Sequence, residues 1–451
     1  MSSDKRGWLA LLLSLTLIRG LIYLSVTPPW QSPDETGHFE YAWLIAHLGQ
    51  LPTEDTLSPP FERELLSSLY EWRYGEYIGR TLPGQMPTRL NDLPSQIFAQ
   101  RSRTVLMDRF SPAYLWQALF VWPFRHQDLV LQLYAARFSS VALNLVIVWV
   151  AWRIFAEVMP RSPGWAAAMT AFVIFLPQHT FINASVNEGP LAELCACVVF
   201  YGWLRLFQNT HWGNVAIVLA GTAVGLWTKN TAAFLLPFDA LMLTLLTARR
   251  YSGTTWSRRL TYMSLSMALI VLLGLVALQA PSGRMAQDIL QQWWAAPQLY
   301  LENGRVSLDQ ALWQSFDSFW AQFGWMSVQA GPAWRLLAYI LTWVAIEGWA
   351  FPRLSHRLES VQATRLLGAA LLSAVAIWLV FMLVTPYGLA YYQGRYLFPV
   401  IVPAAFFLVG GWARWTPAHW QSYFAPGVMI LMASMDTAAL CLALLPYFYG
   451  G

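Results

Sequence analysis

Apolar residues along this chain gather into runs of about 16–23 positions, separated by short polar breaks. Neither strict alternation nor a single apolar stripe dominates these runs, so they predict helices buried on all sides in lipid rather than strands or soluble amphipathic helices. They place eleven spans, at 7–26, 133–155, 164–182, 190–207, 213–228, 231–248, 260–280, 335–351, 366–385, 396–413 and 425–446. Two long segments remain, 27–132 after the first span and 281–334 after the seventh. Stretches such as His38–Leu48 and Ser111–Phe124 read as amphipathic helices lying at the membrane interface. The expected fold is a single all-α polytopic membrane domain over 1–451, with about eleven transmembrane helices and interface helices in its first outer loop.

Composition narrows the class. Of 451 residues, 57% are hydrophobic and only 12% charged, about half the charge of an ordinary soluble domain. The 25 Trp exclude a solvated coil. A net charge of +4 with no basic block gives no reason to expect nucleic acid as a partner. Cys195, Cys197 and Cys441 all lie inside apolar runs and read as small hydrophobes, not as a disulfide framework or a zinc site.

Orientation follows from the short connections. Lys5 and Arg6 precede the first span, while Arg249, Arg250, Arg258 and Arg259 crowd one loop and Arg353, Arg357 and Arg365 another. With eleven spans all three fall on one side, which the positive-inside rule makes cytoplasmic. The N-terminus is then cytoplasmic, and segments 27–132 and 281–334 are extracytoplasmic. Lys5-Arg6 followed by Leu9–Leu17 resembles a signal peptide, but no small-residue cleavage site follows, so this segment reads as an uncleaved anchor.

Polar residues beside apolar runs are functional candidates. Asp34, Glu35 and His38 follow the first span, Asn187 and Glu188 the third, and Lys229 the fifth, while Gln393 and Arg395 precede the tenth. All sit at the outer interface, as expected of a site assembled from several helix ends. Each also has a plain structural role. Ser32-Pro33-Asp34-Glu35 reads as an N-cap, a first-turn proline and a capping box. Lys229 reads as a snorkelling lysine. Arg395 could belong to an aromatic belt, and Asn187-Glu188-Gly189-Pro190 reads as another helix start. Against these, Asp34 at the membrane mouth is placed to deprotonate an acceptor hydroxyl. Lys229 and Arg395 suit a lipid phosphate, and Gly394 would allow close approach. There is no G-x-S-x-G, Gly-rich phosphate loop or H-E-x-x-H.

The order and sidedness of these motifs resemble the GT-C superfamily of membrane glycosyltransferases. The style is that of bacterial proteins similar to protein O-mannosyltransferases and aminoarabinose transferases. Pro33-Asp34-Glu35-x-x-His38-x-x-Tyr41 and Gly49-x-Leu51-Pro52 are similar to the acid motif and interface helix of the first outer loop. Ser111-Pro112-Ala113-Tyr114 and Tyr134-Ala135-Ala136-Arg137-Phe138-Ser139-Ser140 resemble the run into the second span. Further matches are Val186-Asn187-Glu188, Gly225-Leu226-Trp227-Thr228-Lys229, Phe319-Trp320-x-x-Phe323-Gly324-Trp325 and Gln393-Gly394-Arg395-Tyr396-Leu397-Phe398-Pro399. The chain departs in carrying Glu188 where the family often has Asp, and in having no soluble domain after the last span.

The resemblance implies an inverting glycosyltransferase of a bacterial inner membrane. It would take a polyprenyl-phosphate-linked sugar and pass it to a glycan, lipid or protein acceptor on the extracytoplasmic face. Asp34 and Glu35 are the expected catalytic carboxylates, with Asp34 the general base. Lys229 and Arg395 would bind the donor phosphate, supported by His38, Asn187, Glu188 and Gln393. Asp34, Glu35 and His38 are also the residues weighed for a divalent cation, whose requirement the sequence leaves open. A transporter or lipid flippase, or a lipid-diphosphate-sugar polymerase or ligase, are the alternatives. Arg19, Asp239 and Asp436 lie within spans and could mark a transport path. Arg19 is instead expected to pair structurally with one of the two acids, with depth slightly favouring Asp239.

Overall fold

The computed structural model describes residues 3–53, 56, 58–94, 110–250, 287, 291, 307–350, 361–384 and 392–450. The expected seventh span, 260–280, lies outside the described residues, as does the first part of segment 281–334. The chain runs α1 (Ser3–Val26), α2 (Glu35–Leu48), α3 (Pro59–Glu71), α4 (Pro112–Val121), α5 (Leu129–Val158), α6 (Pro163–Phe175), α7 (Pro177–Asn183) and α8 (Gly189–Gln208). It continues with α9 (Trp212–Thr228), α10 (Leu235–Arg250), α11 (Leu308–Trp320), α12 (Pro332–Ala350), α13 (Val361–Val384), α14 (Ile401–Arg414) and α15 (Gln421–Ala439). Between α11 and α12 a short antiparallel hairpin pairs Gln322 with Gln329 and Phe323 with Val328.

Among the described residues, seven helices are long and apolar enough to cross a membrane, or eight if one bent pair counts as a span. The described residues thus account for seven or eight of the eleven expected spans. The third expected span is the bent pair, α6 and α7, which meet at 63°. Pro177 has no N–H to continue the ladder and forces Leu176 into an extended conformation. The Thr180 hydroxyl donates 2.8 Å to the Ile174 carbonyl across the break, satisfying one freed acceptor. The fifth expected span, α9, has 17 residues and falls short of full spanning length. The eighth, α12, is a continuous helix of 19 residues that carries Arg335 and Glu347 and is not among the helices apolar enough to span.

Small residues set the tightest helix crossing. A methyl group on Gly348 of α12 would run into the Gly411 carbonyl of α14, and one on Gly411 into the Ala345 carbonyl. Only glycine permits this approach, as is usual where lipid supplies no hydrophobic drive between helices. Elsewhere α1 packs on α5 and α6, α8 on α5 and α9, and α15 on α6.

The first loop has a core of its own, built from Trp30, Phe39, Phe61, Leu65, Leu69 and Tyr114. Within it α2 is buried on nearly every side. The stretch His38–Leu48, expected as an amphipathic helix, forms most of α2, and α4 covers it. The α4 helix does have two faces, burying Tyr114, Gln117 and Val121 while exposing Leu115 and Leu119.

The charged residues expected within spans have hydrogen-bonding partners inside the bundle. Arg19 forms an ion pair with Asp436, which also accepts 2.7 Å from the Tyr23 hydroxyl. Asp239, the acid favoured by depth, instead accepts from Trp203 Nε1 at 2.6 Å and Thr222 Oγ1 at 2.5 Å.

Candidate functional site

The turn that carries Asp34 is held from behind. Arg137, fully buried on α5, donates to the Leu24, Thr27 and Pro28 carbonyls at 3.2, 2.5 and 2.9 Å. Its Nε and Nη2 also grip Glu35 Oε1 and Oε2 at 2.8 and 2.6 Å. The Val186 amide adds a third donor to Glu35 at 3.2 Å. The Glu35 carboxylate is thus wholly committed to the fold. The expectation that Glu35 is a second catalytic carboxylate meets a geometry in which both of its oxygens are engaged away from solvent.

Asp34 is the opposite case. Its backbone is left-handed, φ 59° and ψ 12°, and its side chain caps nothing. The capping-box reading is corrected here: the helix starts at Glu35, two residues later than an N-cap at Ser32 would start it, and the buried Ser32 hydroxyl has no partner. A non-glycine residue in this region costs about 1–3 kcal/mol, though Asp tolerates it better than most. Arg137 grips the chain on both sides of this turn, at the Leu24, Thr27 and Pro28 carbonyls before it and at Glu35 after it. The turn leaves the Asp34 carboxyl 43% exposed, the most accessible acid of the first-loop motif.

Two cations approach that carboxyl. Arg395 Nη2 lies 3.3 Å from Asp34 Oδ2, with the Arg395 side chain only 9% exposed. Arg395 sits on the 3-10 turn Gly394–Val400, which packs against α7, α8, α11 and the turn Asn230–Phe234 after Lys229. Gly394 is needed there: a methyl would strike the Ser315 carbonyl and the Phe319 amide, and the Gly394 amide donates 2.7 Å to the Ser318 hydroxyl. The room expected at Gly394 for a ligand is therefore occupied by α11. Lys229 terminates α9 and turns inward, its Nζ 3.7 Å from where a Gly189 Cβ would stand, rather than snorkelling outward. Burial pushes its pKa down to about 8. Glu188 and Asp34 oppose that shift and Arg395 adds to it.

His38, one turn into α2, bonds through Nδ1 to the Tyr114 hydroxyl at 2.9 Å, and Tyr114 stacks on Tyr41 with ring centroids 4.2 Å apart. Burial, then Lys229 and then Arg395, hold His38 well below its ordinary pKa, so it is a neutral hydrogen-bonding group at neutral pH. Asn187 is structural. Its amide donates to the Ile182 carbonyl at 2.8 Å and its oxygen accepts from the Gly189 amide at 2.7 Å, while Gln117 holds its carbonyl at 2.8 Å. Glu188 faces Lys229 electrostatically. Gln393 is half-buried at the entry to the Arg395 turn.

Asp34, His38, Glu188, Lys229 and Arg395 are thus brought together at one end of the bundle, while Glu35 and Asn187 brace it. Among the described residues no three His, Cys, Asp or Glu side chains could hold a metal ion, so Asp34, Glu35 and His38 do not form the cation site weighed from their spacing. Sequence reasoning gave no role to Arg137, Tyr114 or Ser318. Arg137 carried a usable signal, because an arginine inside an apolar run requires a partner just as Arg19 does.

A polytopic helical membrane protein with a charged site where several helix ends meet is the class these features define. The chain belongs to the family described as predicted membrane protein (DUF2142), whose model matches residues 17–404. Comparisons with curated proteins and with solved structures returned no match.

Proposed function

We propose that this protein is an inverting glycosyltransferase that moves a sugar from a polyprenyl-phosphate donor to an acceptor hydroxyl on the extracytoplasmic face. The observation that carries the reading is the Asp34 turn: a carboxylate held open in a strained conformation, facing Arg395 and Lys229. Asp34 would take the acceptor proton as the new C–O bond forms at the anomeric carbon. Lys229 and Arg395 would stabilise negative charge growing on the departing lipid phosphate. Inversion requires base and phosphate on opposite faces of the sugar, so donor binding would separate Asp34 from Arg395 and seat the sugar between them. His38, neutral and fixed by Tyr114, would offer Nε2 as a hydrogen-bonding group to the sugar or acceptor.

The test is transfer from radiolabelled polyprenyl-phosphate sugars by the purified protein in liposomes containing cell-envelope lipid and glycan acceptors. Asp34→Asn keeps the side-chain shape but cannot act as a base. Loss of about 10²–10⁴-fold with an unchanged melting curve is expected. Full activity of Asp34→Asn would remove Asp34 from the reaction. Envelope mass spectrometry of cells lacking the protein should show one accumulating lipid-phosphate sugar.

A further inference from the structure

We propose that the cleft between α11, the hairpin and α12 binds one uncharged sugar ring. The cleft holds about 100 Å³. One water needs ~10–15 Å³ by this measure, so there is room for about seven to ten water-sized groups, enough to seat one face of a sugar ring with the rest projecting outward. Its walls are Phe316, Trp320 and Trp334, and its polar edge is Asp317 and Arg335. Arg335 Nε and Nη2 reach Asp317 Oδ1 and Oδ2 at 2.8 and 2.5 Å, a bidentate pair 17% exposed on the acid and 50% on the arginine.

The chemistry of that lining is selective. Aromatic faces pack on the apolar C–H face of a pyranose ring, while its hydroxyls need donors and acceptors close together. A paired carboxylate and guanidinium offers both, since each keeps hydrogen-bonding capacity beyond the pair. The pair also cancels its own charge, so nothing in the cleft selects a phosphate. This contrasts with Lys229 and Arg395. The cleft is built into rigid structure: Trp320 is 2% exposed and packs edge-on against Phe172, and the Gln322 amide donates 2.8 Å to Gln178. The hairpin tip also reaches the Asp34 turn, where Trp325 Nε1 donates 3.2 Å to the Trp30 carbonyl. Two sources could present such a ring, a soluble glycan end or the head of a membrane glycolipid. The exposed Trp313 and Tyr339 beside the cleft suit the second.

The test needs no catalysis. Purified protein in a zwitterionic detergent without sugar headgroups is probed by saturation-transfer difference NMR. The probes are the methyl glycosides of glucose, mannose, galactose and N-acetylglucosamine, their octyl counterparts, and glycerol 1-phosphate. Saturation of ring protons is expected for at least one methyl glycoside, with stronger binding of its octyl form if the source is a glycolipid. Trp334→Ala and the milder Asp317→Asn should each weaken it about tenfold, a loss of ~1.4 kcal/mol. Melting curves identify any variant that fails to fold, and Asp317→Asn then decides. No transfer from any glycoside, undiminished transfer in folded variants, or transfer to glycerol 1-phosphate alone would overturn the proposal.

Discussion

Glu35 and Arg137 form a fully buried bidentate pair, 2.6 Å at its closest, directly behind the exposed carboxylate of Asp34. Two adjacent acids therefore have opposite roles, one spent on holding the turn and one turned outward by it. Removing one partner of such a pair strands a buried charge and typically costs about 3–5 kcal/mol. Glu35→Gln and Arg137→Gln should each lower the melting temperature sharply in detergent. Near-wild-type melting of either would mean that the pair does not hold the turn.

The second relationship of this kind lies deeper. Arg19 meets Asp436, and Tyr23 completes the acid's coordination. Arg19→Ala should reduce expression and thermal stability by leaving Asp436 charged in the bundle, and Asp436→Asn should do likewise. Replacing both, as Arg19→Leu with Asp436→Leu, should recover much of the loss, because the pair is offset by its own desolvation. A double variant as unstable as the sum of the singles would point to a role beyond pairing.

The membrane class, and most span positions, could be read from the sequence because apolar run length is a direct consequence of bilayer thickness. The polar residues that gather around Asp34 were equally readable, since most of them lie where such a run ends or begins. What could not be read was tertiary. Ser-Pro-Asp-Glu is a locally consistent helix start, yet Asp34 is left-handed in a turn held by tertiary partners, among them Arg137, 102 residues from Glu35. Asp436 pairs with Arg19 rather than Asp239 because Trp203 and Thr222 already satisfy Asp239, a contact no depth estimate contains. The sharp bend at Pro177 had a local signal, but whether a proline breaks a span depends on what takes up the freed carbonyls.

Backbone strain gives a prediction separate from charge. Asp34→Gly relieves the left-handed conformation and Asp34→Val cannot adopt it without penalty. In melting experiments Gly should match or exceed wild type, and Val should fall below it by about 1–3 kcal/mol. Both should be inactive in transfer if the carboxylate is the base. Equal stability of the Gly and Val variants would show that the turn relaxes when Asp34 is lost.

Gly394→Ala tests how Arg395 is positioned. The added methyl would collide with backbone atoms of α11, which cannot yield as a side-chain tip can, so the turn must shift. Transfer should fall by at least about tenfold, the usual cost of moving a positioning group by roughly 1 Å or less. Ser318→Ala removes the 2.7 Å hydrogen bond from the Gly394 amide, together with the 2.6 Å bond that the hydroxyl donates to the Gln314 carbonyl within α11, and should cause a smaller loss in the same direction. Wild-type activity in Gly394→Ala would separate Arg395 from the reaction.

Lys229 supplies the pH dependence. Its pKa of about 8, set chiefly by burial, means that it carries its charge at pH 7 and has lost most of it by pH 9. With that pKa the protonated fraction falls roughly tenfold between those two values. If Lys229 must be protonated to receive the donor phosphate, kcat/KM should fall along an alkaline limb near pH 8, because that parameter reports the free enzyme. The limb in kcat should lie higher, since a bound phosphate favours the ammonium form. Unfolding through this group cannot mimic the effect. Between about pH 8 and the unfolded value of about 10.4, the unfolded chain binds more protons than the folded one, so the contribution of Lys229 to stability rises with pH. Lys229→Arg keeps a positive charge at all these pH values and should abolish the limb, whatever it does to the maximum rate. A flat wild-type profile through pH 9.5, or an unchanged limb in Lys229→Arg, would rule out Lys229 as the group that holds the phosphate.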